Sequence, residues 1–331
     1  MSQYILGVDI GGTKSHASLF TVEGQLVGIG VGGQGNADEV GIGGFTSVLH
    51  EIIQQAIDSS NISIDEIIGA GFGIAGYDWP SQKAKFAHAI QELTLRCPFL
   101  LVNDAVLGLL AGTSQGWGIA VVSGTGCNAR GRDKSGNEGR VLGYGMQWGE
   151  GAGASEIVQR ALQHIGWQWT QCGPETRISS LFLEKIKARN VADLLEGIIL
   201  EKYQVDPGLA PEIFRLAEEG DAVAREIVLW AGQSLGNLVL GVARQLHLAD
   251  QPFEVVMLGS LFKADKALIQ PMQETVLSQA PQAIFKRLHV PPVAGAVLLG
   301  FEAAGISSNE IRDRVLSAMK DSPLTHTHSA V

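Results

Sequence analysis

The segment Asp9-Ile10-Gly11-Gly12-Thr13-Lys14 holds the residue types that phosphate chemistry needs. An apolar run ends at Asp9, and two glycines let the backbone fold tightly enough for successive N–H groups to face one anion. Thr13 adds a hydroxyl donor and Lys14 a cation. Asp9, at the end of the run, can hold hydrated Mg2+, which prefers one or two carboxylates plus water and phosphate. The competing reading is a plain glycine hairpin. The same arrangement returns at Ser123-Gly124-Thr125-Gly126. Two such turns at equivalent places can clamp one triphosphate. Asp104 closes another short apolar run. It can be a helix N-cap, the acceptor of a proton from a substrate hydroxyl, or both at once. Phosphoryl transfer asks little covalent chemistry of a protein, so one carboxylate with positioning and Mg2+ suffices.

Other patterns exclude other chemistries. Gly30-Val31-Gly32-Gly33-Gln34-Gly35 spells GxGxxG but leads into polar residues rather than a small-residue helix, so it is no dinucleotide fingerprint. No GxxxxGK[ST] loop and no HRD or DFG triplet occurs. Three scattered cysteines, Cys97, Cys127 and Cys172, form no disulfide framework or zinc pattern. His326 and His328 read as part of a solvated tail rather than a metal site.

The elements that must position these residues alternate between strand and helix. Strands are expected at 4–9, 15–22, 26–31, 67–74 and 99–102, with helices at 43–60, 81–95 and 105–111. Strands at 117–122 and 127–131, with a polar turn at 133–137, repeat the opening unit. Helices follow at 152–165, 178–188, 191–203, 211–219 and 222–246. A strand at 254–258, one near 284–290 and a small-residue helix at 293–304 complete the pattern. The fold class is α/β, and the repeat predicts two related domains. The expected domains are 1–115, completed by the helix 293–305, and 116–292 with a helical insertion. A disordered tail is expected over 321–331.

The net charge of −10 argues against nucleic acid or an anionic membrane as partner. No leader peptide and no apolar run of membrane-spanning length is evident, so the expected location is cytoplasmic.

Together the residues resemble the actin/Hsp70/sugar-kinase superfamily. Residues 9–14, 123–126 and 258–260 are similar to its phosphate-1, phosphate-2 and adenosine motifs. Within it the chain looks most like the BadF/BadG/BcrA/BcrD ATPase family, which includes N-acetylglucosamine kinases, through 71–76, 102–105, 122–130 and 143–151. The resemblance implies two ribonuclease H-like (actin-like ATPase) domains facing a central cleft. It implies an ATP- and Mg2+-dependent kinase acting on an amino sugar, N-acetylglucosamine first. It places ATP against Asp9, Gly11, Gly12, Thr13, Lys14, Gly124, Thr125, Gly126, Ala217, Gly259 and Ser260. Asp104 becomes the catalytic carboxylate. The sugar falls to Asn36, Gly76, Asp104, Gly143, Tyr144, Gly145 and Glu150. A homodimer is also implied. One departure stands out. The family usually reads Gly-Asp-Glu-Gly-Ser where this chain has Gly149-Glu150-Gly151-Ala152-Gly153. The alternatives are an ATPase activating a radical dehydratase, whose paired cysteines are missing here, and a non-catalytic sugar or nucleotide sensor.

Overall fold

A computed structural model describes residues 3–263 and 266–327. The first half runs β1 (Tyr4–Ile10), β2 (Ser15–Thr21), β3 (Leu26–Gly32), α1 (Ala37–Ser60), β4 (Ile67–Ile74), α2 (Lys83–Gln91), β5 (Phe99–Asn103) and α3 (Asp104–Gly112). The second runs β6 (Gly118–Ser123), β7 (Cys127–Arg132), β8 (Glu138–Arg140), α4 (Ala154–Trp169), α5 (Ile178–Ile186), α6 (Val191–Ile199), α7 (Ala210–Glu218), α8 (Ala222–Gln245), β9 (Phe253–Leu258), α9 (Lys266–Leu277) and β10 (Ala283–Arg287). The chain ends with α10 (Val293–Ala303), α11 (Ser308–Lys320) and α12 (Pro323–Thr327).

Two five-stranded mixed sheets result, in the orders β3-β2-β1-β4-β5 and β8-β7-β6-β9-β10. In each, the first three strands pair antiparallel and the last two join parallel. The pattern repeat read from the sequence is therefore a repeat of topology. β1 is apolar up to Asp9 because both its faces are covered.

One core lies between the two sheets. It joins Ile5 and Phe20 of the first sheet with Ala120, Val256 and Leu258 of the second, through α3 and α10. α10 lies directly on β1 and β4. That approach requires residues without side chains. A Cβ on Gly71 would sit 2.1 Å from the carbonyl oxygen of Ala296, and one on Gly7 would sit 2.5 Å from the Val297 nitrogen.

Several expected boundaries move. α1 starts at Ala37, not 43, because the Asn36 side chain accepts a hydrogen bond from the Asp38 N–H and caps it. Gly41, at φ 69°, kinks the helix and hides its periodicity. β8 follows the expected turn 133–137 where no strand was foreseen, and the strand placed near 284–290 ends at Arg287. α11 was not foreseen, although Ile311, Val315 and Met319 recur at helical spacing and are buried. The expected tail from 321 is corrected over its first part. Residues 323–327 form α12 and Leu324 is buried in the inter-sheet core; 328–331, with His328, lie outside the described residues. α8, at 24 residues, is long and apolar enough to cross a membrane by length and composition alone, against the sequence reading. Its Ile227, Leu235 and Val239 are fully buried in the core of the second half.

Gly71→Ala is expected to lower stability by about 2–3 kcal/mol, since neither backbone can yield. Urea unfolding checks this. A midpoint equal to wild type would mean that α10 lifts off the sheet freely.

Candidate functional site

The parallel strands place the candidate residues on one edge. β1 carries Asp9 near its end, and β5 ends at Asn103, so Asp104 begins α3 beside it. β4 runs between the two strands, pairing Asp9 with Gly73 and Ile74 with Asn103. A cavity of about 360 Å³ opens there, lined by Asp9, Gly11, Thr13, Lys14, His16, Asp104 and Asn128 among others.

The first glycine turn closes through a hydrogen bond from the Gly11 N–H to the Lys14 carbonyl (3.1 Å), and a Cβ on Gly11 would strike that carbonyl at 2.5 Å. In the second turn, the Gly124 N–H donates to the Gly126 carbonyl (3.0 Å). Among the described residues, the N–H groups of Gly12, Thr13, Thr125 and Gly126 make no backbone hydrogen bond. Gly259, at φ 106°, packs so tightly on the second turn that a Cβ would lie 2.2 Å from the Ser123 carbonyl oxygen. Gly259 and Ser260 line a neighbouring cavity of about 430 Å³ that shares Leu258 and Pro292 with the first. Ala217 lies elsewhere, buried in the core of the second half and lining neither cavity.

The two carboxylates are in surroundings hostile to charge. Burial raises the Asp9 carboxyl to about 8, with the nearby Asp104 adding to the rise. Burial also raises Asp104 to about 6, opposed by a hydrogen bond from the Ala105 N–H; Asp78 pushes it further up and Arg130 pulls it down. Asp104 is not the helix cap. Asn103 occupies that position and accepts from the Ala105 N–H at 3.1 Å.

Asn36 and Gly76, the latter just past the end of β4, meet. Gly76 has φ 81°, and a Cβ there would fall 2.4 Å from the Asn36 Oδ1. Glu150 is buried, and its carboxylate accepts from the N–H groups of Leu142 (2.5 Å), Gly143 (2.7 Å) and Tyr144 (2.9 Å). It therefore pins the loop 142–145 from behind, while Tyr144 itself stays exposed.

Sequence reasoning missed Asp78, Arg130, Asn128 and His16. Arg130 is the most telling, since it sits within β7 and is buried. An arginine in the middle of a strand beside the second turn was the available signal. His16 faces Asp9 across the β1–β2 ladder and is buried. The cysteines are separate in environment: Cys127 buried, Cys97 half-buried, Cys172 exposed. Among the described residues no group of three or more His, Cys, Asp or Glu could hold a metal ion by itself.

The sequence profile of the BadF/BadG/BcrA/BcrD ATPase family matches residues 6–300. The chain belongs to that family. An N-acetyl-D-glucosamine kinase of Dictyostelium discoideum is 25% identical over 318 residues, 91% of this chain and 98% of that one. An N-acetylmuramic acid/N-acetylglucosamine kinase of Clostridium acetobutylicum is 23% identical over 300 residues, 90% of this chain and 98% of that one. The structure of a candidate N-acetylglucosamine kinase from Chromobacterium violaceum superposes with a TM-score of 0.63 at 19% identity, covering 90% of this chain and 98% of the other. The chain thus shares the α/β fold of that structure.

The raised Asp9 has a consequence for stability. Its folded value is about 8 and its ordinary value 3.8, so between these pH values the folded chain keeps a proton that the unfolded chain has released. Stability therefore falls as pH rises through this window. Asp9→Asn is expected to flatten the fall. Melting curves of ligand-free, metal-free protein from pH 5 to 9 check it, and parallel wild-type and variant profiles would refute it.

Proposed function

We propose that the protein is an ATP-dependent kinase that phosphorylates a hydroxyl of an amino sugar, N-acetylglucosamine foremost. The observation that carries the reading is the meeting of Asp9, Thr13, Lys14 and Asp104 around one cavity. The names of the two similar kinases supply the substrate class.

In this reading the two sheet units are domains facing a cleft that closes over the substrates. The N–H groups of Gly12, Thr13, Thr125 and Gly126 receive the ATP phosphates, with Lys14 beside them. Gly259 and Ser260 line the adenosine side. Asp9 fits Mg2+, because it is a strand-end carboxylate facing the phosphate cavity with a second carboxylate nearby. Bound there, Mg2+ would neutralise charge on the transferring phosphoryl group. Asp104 accepts the proton of the sugar hydroxyl while that oxygen bonds the γ-phosphorus and the bond to the bridging oxygen of ADP breaks.

The sugar rests between Asn36 and the loop 143–145. The Asn36 Oδ1 is occupied by the Asp38 N–H at 3.1 Å, which leaves its amide NH2 for the sugar. Glu150 serves the sugar through the loop it pins. The longer glutamate suits that task, since it spans to three N–H groups.

Asp104→Asn is expected to reduce kcat by roughly 10²- to 10⁴-fold with ATP and sugar still bound. With Asp104 near 6, wild-type kcat/KM should fall as the solution is acidified below about 6, because the protonated carboxyl cannot accept the hydroxyl proton. A phosphorylation assay over a panel of sugars with ATP and Mg2+ checks both. Hydrolysis of ATP with no sugar turned over, or an Asp104→Asn variant with native kcat, would sink the reading.

Glu150→Gln replaces one acceptor oxygen with a donor, so at least one loop N–H loses its partner. The sugar KM is expected to rise about tenfold, the equivalent of roughly 1.4 kcal/mol, with the ATP KM within about twofold. Steady-state kinetics with each substrate varied separates these. An equal rise in both constants would count against a sugar-side role.

A further inference from the structure

Two arginines of the second sheet reach across to the first. Arg130 of β7 and Arg140 of β8 stand directly opposite in their ladder. Both grip the loop that follows β4. Arg130 Nη2 donates to the Asp78 Oδ1 at 2.5 Å, and Arg140 Nη1 donates to the Asp78 carbonyl oxygen at 2.7 Å. The Arg140 guanidinium also lies over the Trp79 ring, 4.8 Å from its centroid. Adjacent like charges on a ladder are unfavourable, so this pairing depends on what it holds.

The grip continues toward Asp104. The Asp78 Oδ1 that takes the arginine also accepts from Asn103 Nδ2 at 3.2 Å, and the same amide donates to the Tyr77 carbonyl at 3.2 Å. With its amino group held, the Asn103 amide cannot flip, and its Oδ1 stays on the Ala105 N–H at 3.1 Å. That N–H also receives the Asp104 Oδ1 at 2.9 Å. One chain of hydrogen bonds therefore runs from the second sheet to the first turn of α3. Arg130 is buried, with side-chain exposure of 3% against 17% for Asp78. Its Nε is buried without a partner among the described residues. A buried arginine left incompletely satisfied is costly, and stability alone does not account for it.

We infer that Arg130 is a positioning residue that acts through Asp78 and Asn103 to fix the start of α3, and with it the Asp104 carboxylate. The inference rests on the kinase reading for its consequence, while the hydrogen-bond chain stands independently of it. The fields agree with the geometry: Asp9, Lys14 and His16 share the cavity with Asp104, and Asp78 and Arg130 act on it with opposite sign.

Asp78→Asn and Arg130→Lys test it, with Arg130→Met as the stronger change. Each is expected to lower kcat roughly 30- to 100-fold, since small displacements at a reacting group are that costly. KM values for ATP and sugar should stay within about threefold. The double variant Asp78→Asn/Arg130→Met should lose no more than the worse single one, because both act on one chain. The acidic limb of kcat/KM should move to higher pH in Arg130→Met and to lower pH in Asp78→Asn. Those two shifts report the opposite charges of the pair; a loss confined to kcat and non-additive in the double variant is what a merely structural role would not give. Amide hydrogen exchange over 103–110 should quicken in the variants, and this readout needs no activity. Native exchange in folded variants overturns the inference whether or not the protein is a sugar kinase. Unchanged kcat, a loss carried entirely by KM, or additive losses in the double variant overturn it as well. Faster exchange without turnover on any sugar by the wild type would instead remove the kinase reading and leave the positioning chain standing. Should Arg130→Met fail to fold, Asp78→Asn, which keeps size and shape, still decides.

Discussion

The parallel pairing of β1, β4 and β5 is the constraint on which the candidate site depends. Parallel strands end on the same edge of a sheet, where ligands of open α/β folds gather. Here that edge delivers Asp9 and the start of α3 to one cavity. The cost is visible in both carboxyls, which burial pushes toward the protonated form. Carboxyls perturbed in this way cluster at functional sites more than elsewhere. The second sheet repeats the arrangement, so β6 and β9 bring Ser123 and Gly259 into backbone contact.

The segment after Glu150 shows why this chain departs from its family's usual pattern. Ala152 has φ 140°, a backbone conformation that glycine adopts freely and alanine rarely. The family pattern has glycine there. The next position carries serine in the pattern, but a Cβ on Gly153 would meet the Gly126 carbonyl carbon at 2.3 Å. The strain is held by several bonds: Ser123 Oγ to the Ala152 carbonyl at 2.6 Å, the Ala154 N–H to Gly124 at 2.8 Å and the Ser155 N–H to Thr125 at 2.9 Å. The second glycine turn and the loop that Glu150 pins are thus parts of one knitted segment.

The legible parts of the sequence were those whose pattern is local. Glycine turns after apolar runs, Asp104 after a short apolar strand, and the repeated strand pattern each announce themselves within ten or twenty residues. What stayed hidden depends on distant partners. Asp78 looked like a loop residue until Arg130 and Arg140 arrived from the second sheet. Asn103 took the cap position because its amide had an anchor in Asp78. Glu150 matched a substrate ligand by position, yet its oxygens face the backbone of its own loop. α1 began earlier than its periodicity suggested because Gly41, Gly43 and Gly44 erase the hydrophobic signal while Asn36 supplies the cap.

The placement of α10 has a consequence for synthesis. Its residues come 219 or more positions after β4, yet the backbone of β4 and β1 is built to receive them without intervening side chains. A nascent chain that has delivered all five strands of the first sheet still presents that face bare. It becomes covered only when residues near 303 have left the ribosome, at a chain elongation rate of roughly 5–20 residues per second. The first half is therefore the first to be made and among the last to be completed. During that interval its exposed face is the stretch most in need of a chaperone.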